Sequence, residues 1–474
     1  MSKVNNIIII VVDALRAKNL GCYGYPIDTS PNIDKLSQES VLFKQAYACS
    51  SRTDPSFTSI ATGLYPTAHG ITGHANRVKE GDAKNVSKIK FLAEALQEKG
   101  YKTYGLDFLS RWHKKGFDYY LGLEGSPKAK RSRAIDFLRE TFNIKPGTPQ
   151  QKILSKTPLY RLFLKMLFNK RSTPYLAADK LVDKAIEILT QGPEKKFVFL
   201  HFWDTHRPYW PPDKHLDALK DADYSKVNPN LERPLKQARK TICSPLGKFF
   251  FDQMSYGKKT VEDLVRAYDA SIKFVDEEIG RLLGQVTEDD LVILTADHGE
   301  SLWEHNIYFG HEGLYDQVLH IPFMIKGPEI KSEVVSDSFI QPPDIMPTVL
   351  DLVNSGDLPS FSRDKCFAID DTEVRREATV FDKKYKLIVS LDQNFRCEFC
   401  GQKHTLDQEL YDLANDPEQL QNIAGESQGK VKEYQSYLDE FLNQTCKLKS
   451  SSQVSWSQEE EDQIADKLKD LGYF

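Results

Sequence analysis

The sequence predicts an α/β protein built on a mainly parallel sheet sandwiched by helices, with a smaller α+β unit after it. Two observations carry this. Three apolar runs, Ile7–Val12, Phe197–Phe202 and Leu291–Thr295, are hydrophobic on both faces, as in strands covered on both sides. Between them lie amphipathic stretches of helical period, notably 178–189 (ADKLVDKAIEIL) and 261–283 (VEDLVRAYDASIKFVDEEIGRLL). Each apolar run also ends in residues that can do chemistry: Asp13, then Asp204 and His206, then Asp297 and His298. Open α/β sheets place their sites at the carboxyl ends of strands.

The remaining elements follow in order. Residues 30–43 (SPNIDKLSQESVLF) read as a capped helix with Pro31 in its first turn, then a short strand. Residues 56–66 (SFTSIATGLYP) read as a helix ended by Gly63 and Pro66, and Lys90–Leu96 as another. GYKTYGLD, 100–107, is a further strand candidate. The stretch 207–258, rich in Pro and charge, reads as a long insertion near the site. We place the large domain at 1–351. A C-terminal α+β unit at 352–474 follows, with strands ATVFD and YKLIVSL and helices SYLDEFLNQ and EEEDQIADKLKDLGY.

The chain has 474 residues, 63 basic and 68 acidic, for a net charge of −5. That is ordinary globular composition and excludes general disorder. No run approaches the ~20 apolar residues that span a bilayer. MSKVNN leads directly into a strand without an export signal, which predicts a cytoplasmic protein. Seven scattered cysteines suit reduced thiols there. The charge is uneven, for residues 126–171 hold twelve basic and two acidic side chains. In that stretch Leu159, Leu162, Phe163, Met166 and Leu167 recur at helical spacing. A basic helix docked on the core is the plainer reading; a surface that attracts an anionic substrate is the functional one. Specific nucleic-acid binding is not expected, and oligomeric state is not legible.

Strand ends offer Asp13, Asp297 and His298, and two further loops offer His206 and His311, so that two carboxylates plus an imidazole make a mixed oxygen and nitrogen set for one divalent metal. Such a set suits Mn²⁺ or Zn²⁺ better than Ca²⁺ or Mg²⁺, although either of the latter is compatible. Asp204 with His206 could serve a second metal. Cys397 and Cys400 form a C-x-x-C with His404 four residues on. A structural Zn²⁺ there needs a fourth ligand that the neighbouring sequence does not offer, so two free thiols on a hairpin is the preferred reading.

Beyond these residue-level readings, the chain resembles the sulfatase branch of the alkaline phosphatase superfamily. The resemblance runs through IIIIVVDALRAKNLGCYGYPIDTSPNIDKL, TDPSFTSIATGLYPTAHGI, HFWDTHRPYWPP, DDLVILTADHGESLWEH, FGHEGLYDQVLHIPFMIKGP, PPDIMPTVLDL and ELYDLANDPEQLQNIA, and ends in LKDLGY. It implies metal ligands at Asp13, Asp297 and His298 and a nucleophile at Thr53, which would also touch the metal. It implies that His206 and His311 bind the transferred group or protonate the leaving group. Arg111 and His113 resemble a Lys-Trp-His segment that binds substrate, with Arg for Lys, and His74 falls near another substrate-binding position.

Three departures from the pattern matter. The family's C-x-P-S-R, whose Cys becomes formylglycine, reads here Thr53-Asp54-Pro55-Ser56-Phe57, so formylglycine cannot form. Ala14 stands where relatives have a second Asp, and His74 where they often have Asn. A Thr hydroxyl beside a divalent cation becomes a usable nucleophile. Its ester lacks the aldehyde exit of formylglycine and must be hydrolysed at the central atom. The expectation is therefore a metal-dependent hydrolase of phosphate mono- or diesters, on an anionic small-molecule, lipid or glycan substrate. A sulfuric ester hydrolase without formylglycine, a phosphoryl transferase on lipid or glycan, and a non-catalytic binder are the alternatives.

Overall fold

Six consecutive aliphatic residues, Ile7–Val12, form β1, and every one is fully buried. Burying such a side chain contributes roughly 1.5–3 kcal/mol, so β1 anchors the core. The computed structural model describes residues 4–74, 78, 80–122, 176–228, 230–255 and 257–451. The basic stretch 126–171 and the terminal EEEDQIADKLKDLGY lie outside the described residues.

The other strands of the main sheet are β2 (Val41–Ala46), β3 (Lys102–Leu106), β4 (Tyr119–Tyr120), β5 (Lys196–Phe202), β6 (Leu291–Thr295), β7 (Phe323–Lys326) and β8 (Val334–Ile340). They lie in the order β4-β3-β5-β1-β6-β7-β2-β8, and only β7 runs antiparallel to its neighbours. This is the mainly parallel α/β sheet that the alternation of strands and helices predicts. β1 lies between β5 and β6 in parallel register, Ile7 beside both Phe197 and Leu291. The carboxyl ends of the three apolar runs therefore meet at one edge, and that register brings Asp13 and Asp297 together.

α1 (Pro31–Gln38) packs on β2 and against the long helix Val261–Leu283, whose apolar face joins the main core. Asp276 from the long helix accepts the backbone N–H groups of Asn32 and Ile33 at the α1 start. α2 (Thr53–Thr62) begins at Thr53, three residues earlier than its sequence suggests, because Thr53, Asp54 and Pro55 already sit in its first turn. It ends at Gly63, whose φ of 70° is the left-handed conformation glycine adopts at helix ends. The stretch 207–258 alternates short helices with irregular segments. Its helices Asp213–Ala218, Leu235–Thr241 and Pro245–Met254 place Leu235, Phe251 and Met254 in the main core.

Strands β9 (Cys366–Asp371), β10 (Arg376–Phe381), β11 (Tyr385–Ser390) and β12 (Gln408–Asp412) form an antiparallel sheet, order β12-β11-β10-β9. Their alternation sends Val380, Leu387 and Leu410 against Val431, Tyr434 and Leu438 of the helix Gln428–Ser451. Phe381, Ile388 and Tyr411 face the main core instead. Among the described residues no helix is long and apolar enough to cross a membrane.

Candidate active site

Asp13 follows β1 and Asp297 follows β6, both fully buried. Asp297 Oδ1 accepts the backbone N–H groups of Ala14 (3.2 Å) and His298 (2.9 Å). The facing oxygens, Asp13 Oδ1 and Asp297 Oδ2, have no hydrogen-bond partner although buried. His298 donates from Nδ1 to the carbonyl of Gly299 at 2.8 Å, which leaves Nε2 as the acceptor nitrogen. That nitrogen lies 3.3 Å from Asp297 Oδ2 and 3.8 Å from Asp13 Oδ1. Ligand atoms of Asp13, Asp297 and His298 all fall within 4.8 Å of one another. Burial and the neighbouring Asp13 charge push the Asp297 carboxyl up. Two buried carboxylates with orphaned oxygens and a correctly oriented imidazole fit a divalent cation, which would satisfy all three. Ala14 contributes only its backbone, so any further ligand must come from elsewhere.

Thr53 opens α2, and its hydroxyl points at His298 Nε2 from 3.4 Å. The helix N-terminus adds positive partial charge beside that oxygen. His311 stacks on His298, ring centroids 4.3 Å apart, and donates from Nδ1 to the carbonyl of Ser51 at 2.7 Å. His206 stacks on Trp203 and donates from Nδ1 to the Arg207 carbonyl at 2.6 Å. Burial pushes both imidazoles down, His206 to about 3, and adjacent positive charge adds to this. Both shifts favour the neutral imidazole.

Arg111, His113 and His74 meet, but on a protein carboxylate. Asp54 Oδ2 lies 2.9 Å from His74 Nδ1 and 3.3 Å from Arg111 Nη1, and Oδ1 lies 3.1 Å from His113 Nε2. Burial opposes an ionised Asp54, yet His74 and His113 outweigh it and hold the carboxyl well below the usual range. Asp204 is absent from the metal cluster. It is buried against the backbone of Ala178, and burial lifts its carboxyl to about 7. A second metal at Asp204 and His206 therefore lacks its carboxylate.

Sequence reasoning missed five residues here. His201 on β5 donates to Asp107 at 2.8 Å and to Asp13 Oδ2 at 3.2 Å. Burial would lower this imidazole, but the two carboxylates win and raise it to about 9. Arg52 and Arg207 flank Glu312 at 3.8 and 3.6 Å. Asp54 is the fifth, adjoining Thr53 in sequence. Asp107 ends β3 as Asp13 ends β1, so the rule that singled out Asp13 would have found it too.

An ester hydrolase of the alkaline-phosphatase-like fold is the class that this sheet edge defines, and comparison with known proteins agrees. The Sulfatase family model matches residues 5–355, and the chain belongs to that family. It is similar to the uncharacterized sulfatase YidJ of Escherichia coli K12, 25% identical over 88% of this chain and 82% of that protein. The N-acetylglucosamine-6-O-sulfatase of Bacteroides thetaiotaomicron is 23% identical, covering 94% of this chain and 87% of its own. Among solved structures, the phosphonate monoester hydrolase of Agrobacterium radiobacter superposes with TM-score 0.64 at 20% identity, over 93% of this chain and 96% of that one.

Proposed function

We propose that the chain is a metal-dependent hydrolase of phosphate mono- or diesters that works through a covalent ester on Thr53. The observation that carries this reading is the Thr53 hydroxyl, 3.4 Å from His298 Nε2 and at the N-terminus of a buried helix. Asp13, Asp297 and His298 would hold the metal, with Mn²⁺ or Zn²⁺ favoured by the donor set. A divalent cation bound there supplies Lewis-acid charge that lowers the hydroxyl's pKa and neutralises the ester's non-bridging oxygens.

The Thr53 oxygen attacks phosphorus in line, its proton passing to solvent, while the bond to the leaving oxygen breaks. Negative charge arriving with the ester raises the proton affinity of His206 and His311, so that either can protonate the leaving oxygen. Water then attacks the phosphorus and frees Thr53 with its proton restored. Arg111, His113 and His74, held by Asp54, would bind the substrate's anionic end.

The absence of formylglycine favours phosphorus, because a Thr ester can leave only by attack at the central atom. Sulfate esters are the second reading, supported by the sulfatase names of the relatives. Metal-supplemented turnover of p-nitrophenyl phosphate, bis-p-nitrophenyl phosphate and p-nitrophenyl sulfate separates the two. Faster phosphoester cleavage is expected; preferred cleavage of the sulfate would overturn the phosphoester assignment.

A further inference from the structure

The segment between β11 and β12 carries Cys397, Cys400 and His404, and the fold brings a third thiol to them from far away in sequence. Cys243 lies at the corner between the helices Leu235–Thr241 and Pro245–Met254. Its Sγ is 3.4 Å from that of Cys397, across 154 residues. Cys400 Sγ lies 3.1 Å from His404 Nε2. All four ligand atoms fall within 4.8 Å of one another. A tetrahedral Zn²⁺ with Zn–S of about 2.3 Å needs ligand atoms roughly 3.5–3.8 Å apart, the spacing this cluster approaches.

From this we propose a structural zinc site of three thiolates and one imidazole, Cys243, Cys397, Cys400 and His404, separate from the catalytic centre. A Cys243–Cys397 disulfide would need the sulfurs near 2.05 Å and would leave Cys400 beside an unexplained imidazole. Soft thiolates in a tetrahedral S₃N set select zinc over the hard cations suited to the Asp13 cluster. The hairpin is shaped for this. Cys397 N–H donates to Gln402 O (2.9 Å) and Gly401 N–H to Cys397 O (2.8 Å), closing a tight turn. Gly401 sits at φ 70°, where a side chain would be strained.

Binding releases the three thiol protons to solvent and leaves the site with a net charge of −1. The site ties the helical insertion that starts at Arg207 to the C-terminal sheet, so its metal acts as a clip on the fold. It takes no part in the chemistry at Thr53.

The test is metal analysis of the full chain purified without chelator or metal-affinity resin. An Asp297→Asn variant should retain about one tightly held zinc per chain, and its zinc X-ray absorption should show a sulfur-dominated shell. Cys243→Ser and Cys400→Ser should each lose that zinc. Because these variants can fail to fold, the wild-type protein is also titrated with p-hydroxymercuribenzoate, which should release the zinc as its thiolates are blocked. Zinc content unchanged in both cysteine variants would overturn the proposal. So would wild-type protein without sulfur-bound zinc, or a mass two daltons low from a Cys243–Cys397 disulfide. None of these outcomes depends on Thr53 or on the metal at Asp13.

Discussion

Replacing Asp54 with Asn tests the anion-binding arm. The carboxylate is 2% exposed and is the common partner of His74, Arg111 and His113. Removing one side of a buried charge cluster costs about 3–5 kcal/mol. The Arg111 and His74 side chains are 30% and 39% exposed, so water recovers part of that loss. Asn also keeps the shape and one acceptor, and we expect a destabilisation of about 2–3 kcal/mol. The sign with pH follows from linkage. A carboxyl held below its unfolded value stabilises the fold at pH above that value, near 4, and loses the effect as pH falls through the folded value. The deficit should therefore persist from pH 8 to pH 5, measured by urea unfolding followed by tryptophan fluorescence. Loss of the carboxylate that orients Arg111, His113 and His74 should also lower kcat/KM by roughly 10–100-fold, mainly through KM. A variant as stable as wild type at pH 7, with unchanged KM, would refute the idea that Asp54 organises this arm.

Other outcomes follow from the same geometry. Asp297→Asn removes a ligand whose free oxygen faces Asp13 Oδ1, and should abolish catalytic-site metal binding and cut turnover by at least about 1,000-fold; titrating metal back into the variant checks this. His201→Gln removes the link between Asp107 and Asp13, and should weaken metal affinity by roughly 10–100-fold without altering the ligand count. Asp269 accepts from Asn19, Tyr25 and Tyr224, and burial raises its carboxyl to about 6. A raised carboxyl favours the fold below its unfolded value near 4, and that contribution fades as pH rises through about 6. Asp269→Asn should remove about 3 kcal/mol of this pH dependence, read by denaturation at pH 4 and pH 7.

The strand ends were legible because burial on both faces leaves an unmistakable apolar run, and parallel register then fixes which ends meet. Asp13 and Asp297 follow from that logic, and so does Asp107, whose strand is less apolar and half exposed at its start. Asp54 was not legible as an organiser, since its three partners come from two separate segments that only the fold assembles. Cys243 was hidden for the same reason, with 154 residues separating it from Cys397. The neutral state of His206 and His311 depends on burial, which spacing alone does not reveal.

The central claim is that Thr53 carries the transferred group. The direct measurement is mass spectrometry of the Thr53 peptide after acid quench of the metal-loaded enzyme turning over p-nitrophenyl phosphate. A phosphoryl adduct on Thr53, lost together with turnover in Thr53→Ala, is the predicted result. Full turnover in Thr53→Ala, or an adduct on another residue, would contradict it.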